Sequence, residues 1–302
     1  MDISLLWIPA TLIAAAAQTA RNTMQHRLTE TLGTVGAAQV RFLYGFPFAL
    51  LFLLVNAVAG GQQVPAPNAS FLAFVAGGAV TQVIGTVLML ATMQLRSFAL
   101  STVYVKTEPV QLAIFAVAVL GDPLTPLGAL AVLTATAGVI TMSLKPGAGS
   151  LAGGGWQAPL LGIASGAFFA LSTVGFRGAI LALETGTPLI RSSTALVWSL
   201  AMQTLMLVVV LGVFRRDALV GSLRVWRSSL TAGFMGAFAS QCWFIGFALT
   251  VAINVRTLGL IEVLFAQMVS RRFFAQTTSA REKIGAALVI AGLLLLVAGP
   301  GH

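Results

Sequence analysis

The sequence predicts an all-α integral membrane protein, with ten transmembrane helices arranged as two inverted-topology five-helix repeats around a central cavity. Three observations predict it. Hydrophobic residues make up 58% of the 302 positions and charged residues 8%, against roughly 45–50% and 25% in soluble globular domains. Ten apolar runs are each long enough to cross about 30 Å of hydrocarbon. Landmarks of the first half also recur in the second: Glu108 and Glu262 lie inside apolar runs, and each is followed 30 residues later by a glycine, Gly138 and Gly292.

The runs are 5–24, 36–57, 70–93, 98–119, 126–144, 156–180, 188–213, 229–251, 254–270 and 284–299. The first could imitate a secretory signal because Ala14 to Ala17 follow an apolar stretch. Its opening Met1-Asp2-Ile3-Ser4 has no basic residue, however, and nine further runs follow, so it reads as a span. In the fourth run Pro109 has no amide hydrogen, which leaves the Val105 carbonyl without its helical partner and bends the helix there. Gly162 and Gly166 form a GxxxG in the sixth run, and Gly233, Gly236 and Ser240 line the eighth. Such spacings let helices approach closely. The longest joining segment, 214–228, is too short to build a second core outside the bilayer.

Internal spacing divides the chain into repeats at 1–147 and 156–302. Arg27 and Arg41 stand 14 apart, as do Arg177 and Arg191, at an offset of 150. Glu108/Glu262, Ala131/Gly285 and Gly138/Gly292 share an offset of 154. Five spans per repeat reverse the second copy in the membrane, so one central site can be exposed to each side in turn. Transport follows from that arrangement more readily than catalysis.

Charge follows the same plan. The net +9 is a positive-inside bias and not a nucleic-acid footprint, because the basic residues gather at one set of loops. Arg21, Arg27, Arg41, Arg96, Lys145, Arg215, Arg216, Arg224, Arg227, Arg271, Arg272, Arg281 and Lys283 fall on one side; Arg177, Arg191 and Arg256 fall on the other. Both termini then lie outside. Arg215, Arg216, Arg224, Trp226 and Arg227 read as a positive-inside loop, with a short helix lying on anionic headgroups. Trp7, Trp156 and Trp226 read as interface anchors.

An ionised carboxylate costs roughly 2.5–3.5 kcal/mol to hold at mid-membrane on insertion scales, so Glu108 and Glu262 need a polar cavity or partners. Tyr104, Glu108 and Gln111 share a face of a regular helix, whereas Lys106 lies about 200° from Glu108 and cannot pair with it without the bend. Lys106 is then a counter-ion for Glu262 or, after the bend, for Glu108. Other inward candidates are Gln18 and Asn22 in the first run, Gln82 and Thr86 in the third, Ser165, Phe169 and Ser172 in the sixth, and Gln241 in the eighth. Trp243 and Tyr104 offer stacking to an aromatic or cationic solute. The substrate-binding set is Gln18, Asn22, Gln82, Tyr104, Lys106, Glu108, Phe169, Ser172, Gln241, Trp243 and Glu262. For each polar residue alone, an interhelical hydrogen bond or a packing ion pair is the competing role.

Several classes are excluded by what is missing. One cysteine, Cys242, permits no intrachain disulfide, and His26 and His302 have no metal-ligand neighbours at useful spacing. No phosphate loop, HExxH or Ser/His/Asp spacing occurs, so neither direct ATP drive, cofactor chemistry nor membrane catalysis is expected.

Lys106-Thr107-Glu108-Pro109-Val110, then Leu120-Gly121-Asp122-Pro123-Leu124-Thr125 and a glycine-punctuated helix to Gly138, resembles the EamA-type transporters of the drug/metabolite transporter superfamily. Ile261-Glu262-Val263 and the helix from Ile284 to Gly292 look like the matching second copy, which lacks the proline and has Gln276 where the first has Asp122. The resemblance implies a multi-pass protein of the bacterial inner membrane, among membrane lipids, and two complementary halves in one polypeptide make a functional monomer the simpler expectation. The resemblance further implies export of amino acids or related small metabolites. A lipid flippase and a non-transporting membrane subunit are the alternative readings.

Overall fold

Within the described residues the apolar runs fold as helix, and no strand occurs among them. The computed structural model describes residues 3–95, 103–143, 156–224, 226–265, 267–268 and 279–299. After a 3-10 turn at Ile3–Leu6 come α1 (Trp7–Leu43), α2 (Gly45–Gly60), α3 (Ala69–Leu95), α4 (Glu108–Leu120), α5 (Pro126–Ser143) and α6 (Gln157–Ala182). They are followed by α7 (Pro188–Phe214), α8 (Arg216–Arg224), α9 (Trp226–Leu249), α10 (Ala252–Leu258), a 3-10 turn at Gly259–Ile261 and α11 (Ala280–Ala298).

Local chemistry sets these boundaries. Helix α1 runs unbroken across 25–35, where polarity had suggested a loop. No proline lies between Pro9 and Pro47, and polar side chains by themselves do not interrupt a helical ladder. The break comes instead at Tyr44, just ahead of Pro47. Helices α2 and α4 end at Gly61 and Gly121, whose φ values of 58° and 65° are left-handed. At the start of α11, Ser279 accepts from the Glu282 amide at 3.2 Å while Glu282 accepts from the Ser279 amide at 2.9 Å, a reciprocal capping box.

Among the described residues seven stretches are long and apolar enough to span: Gln39–Gly60, Ala69–Met93, Val103–Leu120, Pro126–Ser143, Gln157–Ala182, Pro188–Phe214 and Ser229–Leu249. They correspond to the second through eighth expected runs. The first run lies inside α1. The ninth is interrupted by the 3-10 turn at Gly259–Ile261 and partly leaves the described residues, and the tenth is α11, whose first turn carries Arg281, Glu282 and Lys283. The chain is thus an all-helical, multi-pass membrane protein.

Two compact units emerge, and each draws on both halves of the sequence. One combines Met1–Ala79 with Gly175–Leu249, the other Val80–Val174 with Thr250–His302. In the first, α3 and α6 cross where a methyl on Gly175 would sit 2.7 Å from the Gly78 Cα. Buried Arg177 donates from Nη1 to the Phe247 carbonyl at 2.6 Å, and Phe234 stacks on Phe238 at 6.0 Å. Trp7 is fully buried in this unit and does not serve as an interface anchor, whereas Trp156 and Trp226 are exposed. In the second unit α5 packs along α11 and α10 lies against α4.

Candidate functional site

The second unit holds four charges in two ion pairs, and each comes from a place where a helix is interrupted. Val103 to Val105 form a helical turn, Lys106 and Thr107 break it, and α4 restarts at Glu108 with Pro109 beside it. In the other segment of the cluster α10 ends at Leu258, a 3-10 turn follows, and Glu262 stands directly after it. Lys106 Nζ donates to Glu262 Oε1. Arg256 Nε donates to Glu108 Oε1 at 2.8 Å, and Nη2 reaches the same oxygen. The Glu108 side chain is 8% exposed and that of Arg256 22%.

Helix ends favour this arrangement. Glu108 occupies the first turn of α4, where the peptide dipoles point positive charge at it, and Arg256 occupies the last turn of α10, where they point negative charge. The four charges sum to zero, which removes most of the cost of holding any one of them in an apolar setting.

The break in front of Glu108 is built by its neighbours. Thr107 donates from Oγ1 to the Tyr104 carbonyl at 2.7 Å, and Gln111 donates to Thr107 Oγ1 at 2.9 Å and to the Ile163 carbonyl at 3.2 Å. The GxxxG of α6 seats this irregular segment. A methyl at Gly162 would overlap the Tyr104 Cβ, and one at Gly166 would lie 3.1 Å from the Val105 carbonyl oxygen. At its other end α4 reaches α10 again: the Ala252 amide donates to buried Asp122 Oδ2 at 3.4 Å, in place of any side-chain cap from Val251.

Small residues close the α5 and α11 contact in reciprocal fashion. A methyl on Gly138 would lie 2.7 Å from the Gly285 oxygen and 2.6 Å from the Val289 nitrogen. One on Gly292 would lie 2.8 Å from the Ala131 oxygen and 2.6 Å from the Ala135 nitrogen. The two triplets, 138 with 285 and 289, and 292 with 131 and 135, exchange under the offset of 154. The helix interruptions obey it as well, since Lys106-Thr107 maps onto Leu260-Ile261 and Glu108 onto Glu262.

Residues 5–144 match the EamA-like transporter family. No curated protein matches the chain. A solved crystal structure is similar over 99% of this chain and 99% of its own, with a TM-score of 0.69 and 15% identity, which is a likeness of fold.

The residues singled out from sequence fall into two groups. Lys106, Glu108 and Glu262 come together at the cluster and Tyr104 packs against Gly162, while Gln82, Phe169 and Ser172 belong to the same unit. Ser172 donates to the Phe169 carbonyl at 2.8 Å, the Phe169 ring lies 3.2 Å from where a Gly85 methyl would be, and the Gln82 carbonyl accepts from Thr86 at 2.8 Å. Gln18, Gln241 and Trp243 belong to the other unit, where Trp243 Nε1 donates to Gln18 Oε1 at 3.1 Å and Gln241 donates to Ser192 Oγ at 3.1 Å. The Asn22 side chain, Gln276, and the side chains of Arg27, Arg96, Lys145, Arg271 and Arg272 lie outside the described residues.

Tyr104 and Glu108 do not share the face of one regular helix, because the helix is broken between them. Arg256 is the member of the cluster that sequence reasoning missed, since the sequence reads it only as a vote on membrane orientation. An arginine near the head of the ninth apolar run, six residues before a glutamate within the same run, was the available signal.

Proposed function

We propose that this protein is a secondary carrier that exports amino acids or related small metabolites by alternating access, with Lys106, Glu108, Arg256 and Glu262 as its charged solute site. The pairing of all four charges at interrupted helices is the observation that carries the reading. Discontinuous helices whose ends meet ionic groups are the recurrent way in which secondary transporters build a solute site in the membrane.

The charge balance favours a zwitterion. A solute bearing one ammonium and one carboxylate can exchange partners with the two pairs, its carboxylate taking Arg256 or Lys106 and its ammonium taking Glu108 or Glu262, while the total stays at zero. A solute with net charge would leave one buried ion uncompensated, which costs several kcal/mol. Gln111 Oε1, one turn beyond Glu108, is buried without a hydrogen-bond partner among the described residues and offers the ammonium a further acceptor.

The reciprocal glycine contacts and matching interruptions support ten spans in two inverted repeats, 1–147 and 156–302, and hence a functional monomer in the bacterial inner membrane. The test is counterflow in proteoliposomes with a panel of neutral, aromatic, acidic and basic amino acids. Zwitterionic solutes should exchange, and Glu108→Gln and Arg256→Met should abolish exchange while the protein stays folded. Wild-type rates in both variants would overturn the assignment of the site.

A further inference from the structure

The chain leaves one span at Phe214 and enters the next at Ser229, and α8 fills most of the interval. Nine residues of helix measure about 14 Å, so this segment cannot travel far from the membrane surface. It is also anchored: the Tyr44 hydroxyl, at the junction of α1 and α2, donates to the Ser222 carbonyl at 3.0 Å, and Ser222 is fully buried.

With Ser222 turned inward, the helix shows a mixed stripe outward. Arg216, Asp217, Val220, Leu223 and Arg224 are exposed, and their spacing of three and four residues sets them on one side of α8. At either end of the helix the pattern continues. Phe214 is 76% exposed before it, and Trp226, 49% exposed, carries the Arg227 guanidinium over its ring at 5.4 Å after it. Arg215 adds a fourth cation and makes an exposed contact with Asp217 at 3.5 Å. Large apolar side chains interleaved with arginines suit the boundary between acyl chains and headgroups, where the apolar parts enter and the guanidiniums stay at the phosphates.

We infer that α8 with its flanks is a docking surface for anionic phospholipid, held at headgroup depth and selecting phosphate-bearing, net negative lipids over zwitterionic ones. Four arginines against one aspartate make the surface electropositive, and a bilayer that carries negative charge is its complement. This surface shares no residue with the proposed solute site, so its role stands or falls independently of the substrate.

The experiment uses the full chain in nanodiscs of phosphatidylcholine mixed with phosphatidylglycerol. Spin-labelled versions of each lipid report retention at the protein surface by electron paramagnetic resonance. Wild-type protein should retain phosphatidylglycerol preferentially, with the preference falling as salt rises. Replacing Arg215, Arg216, Arg224 and Arg227 together by glutamine should remove it, at about fivefold for each arginine in contact with the headgroups. The same four changed to lysine should keep most of it. Equal retention of the two lipids by wild type, an undiminished preference in the glutamine variant, or a loss in the lysine variant as large as in the glutamine one would each overturn the inference. So would binding of a soluble acidic protein to this surface with no difference between the lipids.

Discussion

Removing one member of the Glu108 and Arg256 pair strands the other, and the two deletions differ in a way the geometry makes explicit. In Arg256→Met the surviving carboxylate is the more deeply buried group, 8% exposed, and it loses both guanidinium contacts. In Glu108→Gln the surviving guanidinium is 22% exposed, and the glutamine oxygen can still accept a hydrogen bond from it. Breaking a buried ion pair from one side costs about 3–5 kcal/mol. Arg256→Met should sit at the upper end of that range and Glu108→Gln near or below its lower end. The double variant Glu108→Gln/Arg256→Met leaves no bare ion and should recover on the order of 2 kcal/mol relative to the sum of the singles. Thermal unfolding of the purified protein in one detergent, followed by aggregation or tryptophan fluorescence, measures all four corners of the cycle. Strict additivity of the two losses would refute the pairing, and a larger loss in Glu108→Gln than in Arg256→Met would refute the reasoning from burial.

Four further outcomes follow from other contacts. Gly138→Leu drives a side chain against the Gly285 oxygen and Val289 nitrogen, backbone atoms that cannot swing aside; it should destabilise by about 1–3 kcal/mol or more, seen as a lowered midpoint of thermal unfolding, and Gly292→Leu should do the same by the reciprocal contact. Gly162→Leu should displace the Tyr104 to Thr107 break and so reduce counterflow more than stability, checked by comparing rate with unfolding midpoint in one preparation. Trp243→Phe takes away the indole donor of Gln18 Oε1 and should cost about 1 kcal/mol, a loss that Gln18→Leu in the same chain should largely absorb. Ser279→Ala removes the α11 cap at a cost of about 1 kcal/mol, and faster amide exchange confined to the first turn of α11 is the diagnostic readout.

By itself the sequence determined that the chain is helical and lives in a membrane, because composition and run length leave a polypeptide no other way to satisfy its backbone in hydrocarbon. It also determined that Glu108 and Glu262 needed partners, that Lys106 was a candidate for one of them, and that the chain must bend near Pro109. Local covalent rules were enough for each of these. Who pairs with whom was decided only in three dimensions. Arg256 meets Glu108 across 148 positions of sequence and Lys106 meets Glu262 across 156, and no periodicity within one helix encodes a contact between two. The use of the GxxxG at Gly162 was likewise invisible until its neighbour was known, since small residues permit a close approach without naming what approaches. Trp7 and the unbroken α1 make the same point from the other side: an aromatic near a run's end or a polar stretch within it has two readings, and burial or an uninterrupted hydrogen-bond ladder selects between them.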